Sequence, residues 1–136
     1  MKSLVAILLG ALAFPIGASS ILDCRSAIST EDTNQCASIY RDLAEQRMQR
    51  YLDASKQRFA ANKPILASID RAQKHWLSYR KDHCDAVFDI WTGTLTDSMA
   101  LQCETKITQE RTLQLWRTYL SSYASGQILP EPDLRQ

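Results

Sequence analysis

The sequence predicts an all-α fold: a small disulfide-stapled helical bundle built on a long antiparallel helix hairpin plus a third helix. Only four glycines and four prolines occur among its 136 residues. Neither Asn-Gly nor Asp-Gly, the pairs that mark tight β-hairpins, is present. Apolar residues recur at spacings of three and four through long charged segments, which is the pattern of amphipathic helices. Four cysteines in so short a chain favour disulfide bridges.

The first 20 residues have the layout of a secretory signal peptide. Lys2 precedes an apolar run, and small residues end at Ser20. The apolar run is too short to span a bilayer. We therefore expect a signal peptide over 1–20, one helical domain over 21–123 and a loose C-terminal tail over 124–136. The residue before Cys24 is an aspartate, which does not fit the small-residue lipobox of a bacterial lipoprotein, so we expect a soluble periplasmic or secreted protein.

The charge balance argues against a nucleic-acid partner. The chain has 16 basic and 15 acidic residues, and loss of Lys2 with the signal peptide would leave the two equal. Proteins that bind nucleic acid normally carry a net basic balance and a basic stripe. We also expect no transmembrane segment in the mature protein, and the sequence leaves the oligomeric state open.

Two long helices form the predicted hairpin. The first runs from about 35 to 61 and is capped by Thr33 or Asn34. The second runs from about 64 to 90, with Pro64 in its first turn, where a missing N–H is harmless. A connection this short requires the two helices to lie antiparallel.

A third helix follows a short loop. Residues 92–96 are typical of a loop, and Asp97 or Ser98 can cap a helix that runs to about residue 122. Two prolines follow Gly126, so the tail is expected to be extended or loose.

The four cysteines are predicted to meet at one end of the bundle, here called the cysteine pole: Cys24, Cys36, Cys84 and Cys103. Three pairings are possible, and we favour the local one, Cys24 with Cys36 and Cys84 with Cys103, although crossed pairings remain geometrically possible. The cysteines lack the C-x-x-C spacing of a zinc site, so no metal is expected.

Acidic residues gather toward the same pole, although the net charge is close to zero. Two interpretations are open: solvated helix ends, or an acidic surface that steers a basic partner. If the acidic surface steers a basic partner, the candidate partner-binding residues are Asp82, Asp85, Asp89, Gly93 and Asp97.

No catalytic site is predicted, and no cofactor. His83 lies beside Asp82 and Asp85, but no serine nucleophile or glycine elbow accompanies it. No pair of carboxylates is marked as acid and base for glycoside hydrolysis. We therefore expect a binding protein, not an enzyme.

The second helix carries an unusual stripe that mixes polar and large apolar side chains. On a helical projection, six residues fall within an arc of about 80°: Gln73, Trp76, Arg80, Cys84, Val87 and Trp91. A buried guanidinium requires acceptors, because an unpaired buried charge is costly. The stripe therefore predicts that α-helical residues 73–91 pack against another part of the protein that supplies hydrogen-bond acceptors for Arg80.

Part of this stripe belongs to a longer motif, Q-x-x-W-x-x-Y-R-x-x-x-C, formed by Gln73, Trp76, Tyr79, Arg80 and Cys84, and followed by Cys103, Thr108 and Arg111. With Asp23-Cys24 and the segment NQCASIY at 34–40, it resembles the lysozyme-inhibitor LprI-like domain of bacterial envelope proteins. The resemblance covers about residues 23–120.

The resemblance implies a helical, cysteine-bridged, exported protein. It also implies an inhibitor of lysozyme-type muramidases, with lysozyme or another basic protein as the partner. The alternative is a non-inhibitory structural or interaction module of the envelope. We expect five motif residues to hold the fold instead of touching the partner, namely Gln73, Trp76, Tyr79, Arg80 and Arg111.

Overall fold

A computed structural model describes residues 22–121 and 128–134. The predicted signal peptide over 1–20 lies outside these residues, as do positions 122–127 of the predicted domain and tail. The described part contains three α-helices, α1 (Thr30–Arg58), α2 (Lys63–Ile90) and α3 (Thr96–Leu115), followed by a π-helical turn (Trp116–Leu120). It contains no strand, and the predicted all-α bundle is confirmed. None of the helices in these ranges is both long enough and apolar enough to cross a membrane.

Helix α1 begins five residues earlier than predicted. Ser29 is its N-cap, and the Ser29 side chain accepts a hydrogen bond of 3.0 Å from the backbone N–H of Asp32. Glu31 and Asp32 add negative charge to the first turn, where it complements the helix dipole. The prediction of a cap at Thr33 or Asn34 is therefore wrong, because a stronger capping arrangement lies upstream.

Helix α2 agrees closely with the prediction. Asn62 is its N-cap and accepts a hydrogen bond of 3.2 Å from the N–H of Ile65. Pro64 lies in the first turn, where its lack of an N–H costs no helical bond. The helix ends at Ile90, and the backbone of Trp91 is already extended.

Helix α3 ends earlier than predicted. It begins at Thr96 without a side-chain cap and stops at Leu115. The next turn is π-helical and closes with a 2.9 Å bond from the N–H of Ser121 to the carbonyl of Trp116. The prediction of one α-helix to about residue 122 fails here, because the backbone bonding pattern widens for one turn.

Helices α1 and α2 are antiparallel. Their ion pairs join Lys56 to Asp70 and Glu45 to Arg80, so residue numbers fall along one helix as they rise along the other. The two backbones nevertheless approach each other less closely than either approaches α3. The predicted hairpin is therefore held mainly through the third helix.

Helix α3 runs antiparallel to α2 and parallel to α1. Its contacts join Arg111 to Gln73 and Cys103 to Cys84. The hydrophobic core lies where the three helices meet. It is formed by Met48, Tyr51, Leu52, Ile69, Leu115 and Leu120.

The structure contains two disulfides, in the local pairing favoured from the sequence. Cys24 is bonded to Cys36, with Cα atoms 5.5 Å apart, and Cys84 to Cys103, with Cα atoms 5.7 Å apart. The first attaches the N-terminal segment to α1, and the second joins the end of α2 to α3 across the intervening loop. The described chain has no free cysteine.

Residues 128–134, here called the C-terminal strap, lie against the bundle. Tyr51 Oη donates to the carbonyl of Pro130 at 2.8 Å, and Trp116 Nε1 donates to that of Leu129 at 3.0 Å. Gln109 Nε2 donates to the carbonyl of Leu134 at 3.1 Å. The expectation of a loose tail is therefore wrong for these residues, because side chains of the helices bind the strap by its main chain.

Candidate partner-binding surface

Arg80 joins all three helices. Its Nη1 donates to Glu45 Oε2 of α1 at 3.2 Å and to Thr108 Oγ1 of α3 at 3.0 Å. The Arg80 side chain is largely buried. The carboxylate therefore supplies the acceptor and the countercharge that a buried guanidinium requires.

Arg111 is more deeply buried, with 7% of its surface exposed. Its Nε donates to Gln73 Oε1 at 3.1 Å and its Nη1 to Gln114 Oε1 at 2.7 Å. Burial lowers the pKa of Arg111, since desolvation disfavours the charged form. The guanidinium carbons of Arg80 and Arg111 lie 5.0 and 5.9 Å from the Trp76 ring centroid. The four motif residues Gln73, Trp76, Arg80 and Arg111 thus form one cluster between the helices.

Tyr79 does not join this cluster. It is 55% exposed and stacks on His83, with ring centroids 5.5 Å apart. The prediction that Tyr79 helps to hold the fold is therefore wrong. Tyr79 points away from the buried stripe because it lies one residue, or 100°, from Arg80.

The predicted carboxylates lie on the outer face of α2. Asp82, Asp85 and Asp89 are all exposed. Asp85 forms an ion pair with Lys81, and the pKa of Lys81 is raised first by that hydrogen bond and then by the negative charges of Asp85, Asp82 and Glu104. The carboxylates therefore surround a single lysine and leave a net acidic face.

The loop after α2 continues this surface. Gly93 has φ of 85°, a left-handed conformation that favours glycine. Thr96 Oγ1 donates to the carbonyl of Gly93 at 3.0 Å and closes the loop. Asp97 follows in the first turn of α3, where it is exposed. The structure thus places all five predicted partner-binding residues at the end of α2 and the start of α3.

The family profile of lysozyme inhibitor LprI matches residues 24–115. The chain belongs to the LprI family. An uncharacterized protein, R02472, from Rhizobium meliloti (strain 1021) is 30% identical over 105 residues, which cover 68% of this chain and 76% of that protein. No solved structure matches the chain.

The LprI match includes both disulfides and the buried cluster, and it ends before the C-terminal strap. Membership in this family of lysozyme inhibitors supports an inhibitor-like function. The residues that carry the family pattern on α2 and α3 are mostly interior, so the family match by itself does not mark the surface that meets a partner.

Four exposed apolar side chains beside the carboxylates were not predicted as site residues. Phe88, Ile90, Trp91 and Leu95 are between 45% and 75% exposed. Phe88 and Ile90 lie off the buried stripe on a helical projection, and that offset is the signal in the sequence that marks them. Trp91 was expected on the stripe, but the backbone leaves the helix there, so the helical projection no longer places its side chain.

A groove of about 400 Å³ lies between α1 and α3 at the same pole. Tyr40 and Lys106 are among the residues that line it, and its described lining includes no carboxylate or histidine. Within residues 22–121 and 128–134, no group of three histidine, cysteine, aspartate or glutamate side chains is arranged to hold a metal ion. The groove therefore offers no acid–base pair for hydrolysis.

Proposed function

We propose that this protein is an exported binding protein that inhibits lysozyme-type muramidases and is not itself an enzyme. Membership in the LprI family is the observation that carries the proposal. The binding surface is proposed to be the tip surface, defined as the exposed carboxylates and apolar side chains at the end of α2, in the loop and at the start of α3. It comprises Asp82, Asp85, Asp89 and Asp97 with Phe88, Ile90, Trp91 and Leu95.

The composition of the tip surface suits a basic protein partner. Exposed carboxylates speed the encounter with a positively charged surface. Aromatic and aliphatic side chains supply the apolar area that most often dominates affinity at the centre of an interface. Phe88 and Trp91 give the tip surface such anchors, and Asp82, Asp85 and Asp89 on the neighbouring face of α2 supply negative charge.

The shape of the tip surface also supports inhibition. The loop at Gly93 joins two antiparallel helices, so it forms an end of the bundle and not a cleft. A projecting loop is suited to enter the concave substrate site of an enzyme. We propose that this loop obstructs the cleft of the muramidase.

Export is the second part of the proposal. Both disulfides require an oxidising compartment to form and persist. The signal-peptide layout of residues 1–20 would provide the route. Mass spectrometry of the secreted or periplasmic protein should find an N-terminus after Ala18 or Ser20, and a protein that keeps Met1 would contradict this part.

A lysozyme inhibition assay with matched variants tests the function. Trp91→Ala removes a proposed anchor and should weaken inhibition about tenfold, mainly through faster dissociation. Leu43→Ala is the control, because Leu43 is comparably exposed but lies on α1. Equal inhibition by both variants would move the interface away from the tip surface. Failure of the wild type against every lysozyme class would favour the non-inhibitory envelope module.

A further inference from the structure

The outer face of α2 is divided into a basic half and an acidic half. Seven exposed charged residues lie within an arc of about 100°, on the side of the helix away from Gln73 and Cys84. In chain order they are Lys63, Arg71, Lys74, Lys81, Asp82, Asp85 and Asp89. The basic members all precede the acidic ones.

Four of these charges are placed symmetrically about Ser78. Lys74 lies four residues before Ser78 and Asp82 four residues after it, and Arg71 and Asp85 lie seven residues before and after. Spacings of four and seven return to one face of an α-helix. If a second copy of α2 runs in the opposite direction, its Lys74 lies opposite Asp82 of the first copy, and its Arg71 lies opposite Asp85.

We propose that two copies of this chain pair through these faces, with α2 antiparallel to α2 about a two-fold axis near Ser78. Lys74 of each copy then meets Asp82 of the other, and Arg71 meets Asp85, which gives four intermolecular ion pairs. A two-fold interface must be complementary to itself. The outer face of α2 meets this requirement, because the cations and anions of these pairs are placed symmetrically about Ser78. Exposed Ser78 permits close approach of the two backbones.

The association should be reversible and sensitive to salt. Exposed ion pairs are individually weak, and local bonds compete, since Asp85 accepts from Lys81 and Arg71 donates to Ser68. The four ion pairs must therefore act together to hold the dimer. This inference does not rest on the proposed lysozyme inhibition, because it uses only the charge order of α2.

Sedimentation equilibrium of the full mature protein tests the pairing. At about 0.01 M salt, where the Debye length is about 30 Å, the mean mass should rise toward twice that of the monomer between about 10 and about 300 µM. At about 1 M salt, where the Debye length is about 3 Å, it should return to the monomer value. A monomer at every concentration in low salt would overturn the proposal.

Two charge-reversed variants identify the face. Arg71→Glu/Lys74→Glu makes all four pairing positions acidic, and Asp82→Lys/Asp85→Lys makes the same four positions basic. Each variant alone should be monomeric, whereas an equimolar mixture should form a heterodimer that is tighter than the wild-type pair. Lys106→Glu/Arg117→Glu is the control, since it reverses two exposed cations elsewhere and should leave dimerisation unchanged.

The mixing experiment separates a lost interface from a lost fold. A variant that had unfolded would not recover binding when its complement is added, and circular dichroism should show native helix content in each. Dimerisation of either variant alone, or a mixture that stays monomeric while both are folded, would refute the α2 pairing.

Discussion

At the residue scale, the motif of α2 is explained by the charges it buries. Arg80 has a carboxylate partner in Glu45, whereas the described partners of Arg111 are two amides and the face of Trp76. An aromatic face attracts a guanidinium and requires no countercharge of its own. Trp76 therefore contributes both apolar packing and electrostatic stabilisation of two arginines.

Trp76→Ala should lower the free energy of unfolding by about 3 kcal/mol or more, because it removes a large packed ring and leaves two buried guanidinium groups without it. Tyr79→Ala is the matched control, three residues along the same helix but 55% exposed, and should cost no more than about 0.5 kcal/mol. Denaturant unfolding of both variants provides the comparison. If Trp76→Ala and Tyr79→Ala lowered the free energy of unfolding by similar amounts, Trp76 would not be part of the stabilising cluster.

At the element scale, covalent and main-chain contacts hold the ends of the helices. The Cys84–Cys103 bridge closes the loop between α2 and α3, and the C-terminal strap covers part of α1 and α3. The strap contacts Tyr51 and Gln109, whereas the bridge lies beside the tip surface, since Cys84 directly precedes Asp85.

Replacing Cys84 and Cys103 by serine should lower stability by about 2–5 kcal/mol, since the bridge restricts the unfolded chain. The wild-type protein should show no titratable thiol before reduction, because all four cysteines are bridged. Thiol titration under denaturing conditions, followed by thermal unfolding of the double variant, checks both statements. Four reactive thiols in the exported wild type would be incompatible with this framework.

Deleting residues 128–136 should destabilise the fold by about 2 kcal/mol, roughly the burial of one large apolar side chain, because Leu129 packs on the core. Tyr51→Phe removes only the hydrogen bond to the carbonyl of Pro130 and should cost about 1 kcal/mol. Thermal denaturation of the two proteins distinguishes packing from hydrogen bonding. A truncated chain as stable as the full one would mean that the strap adds nothing to the bundle.

The helices and bridges were predictable because their signals are local. Pro64 fixes the start of α2, and residue periodicity identifies its buried face. The start of α1 was missed because Ser29 and Thr33 are both acceptable caps, and only the bond from Asp32 distinguishes them. The strap was missed because it depends on donors from Tyr51, Gln109 and Trp116, which are far away in the chain.

The candidate site was predicted only in part for a similar reason. The acidic residues of α2 share a face and can be recognised from spacing alone. The apolar part of the tip surface depends on where α2 ends, since the helical projection applies to Trp91 only if the helix includes it, and α2 ends at Ile90. Tyr79 shows the opposite error, because a residue can belong to a family pattern and still face solvent.

At the scale of the whole molecule, the net charge is close to zero, but two regions of the surface carry opposite charges. Acidic residues dominate the end of the bundle with the cysteines, and the basic half of α2 lies toward the other end. Asp82 and Asp85 belong both to the proposed lysozyme-binding surface and to the proposed α2 pairing. The two associations are therefore expected to compete, and the free monomer would be the inhibitory form.

The rate of association with a basic animal-type lysozyme shows whether the tip surface binds the enzyme. Changing Asp82, Asp85, Asp89 and Asp97 to asparagine should slow association about tenfold or more at low salt, and the difference should shrink as salt rises. Thermal unfolding should change little, because exposed charges contribute little to stability. The control is a variant with the same loss of four exposed charges elsewhere, namely Asp42→Asn, Asp53→Asn, Glu110→Gln and Glu131→Gln.

Stopped-flow or surface-based kinetics on the wild type and both quadruple variants is the deciding measurement. We expect fast, salt-sensitive binding for the wild type and the control, and slow binding for the tip-surface variant. A wild-type protein that binds no lysozyme at micromolar concentration, or a tip-surface variant that binds as fast as the wild type, would contradict it.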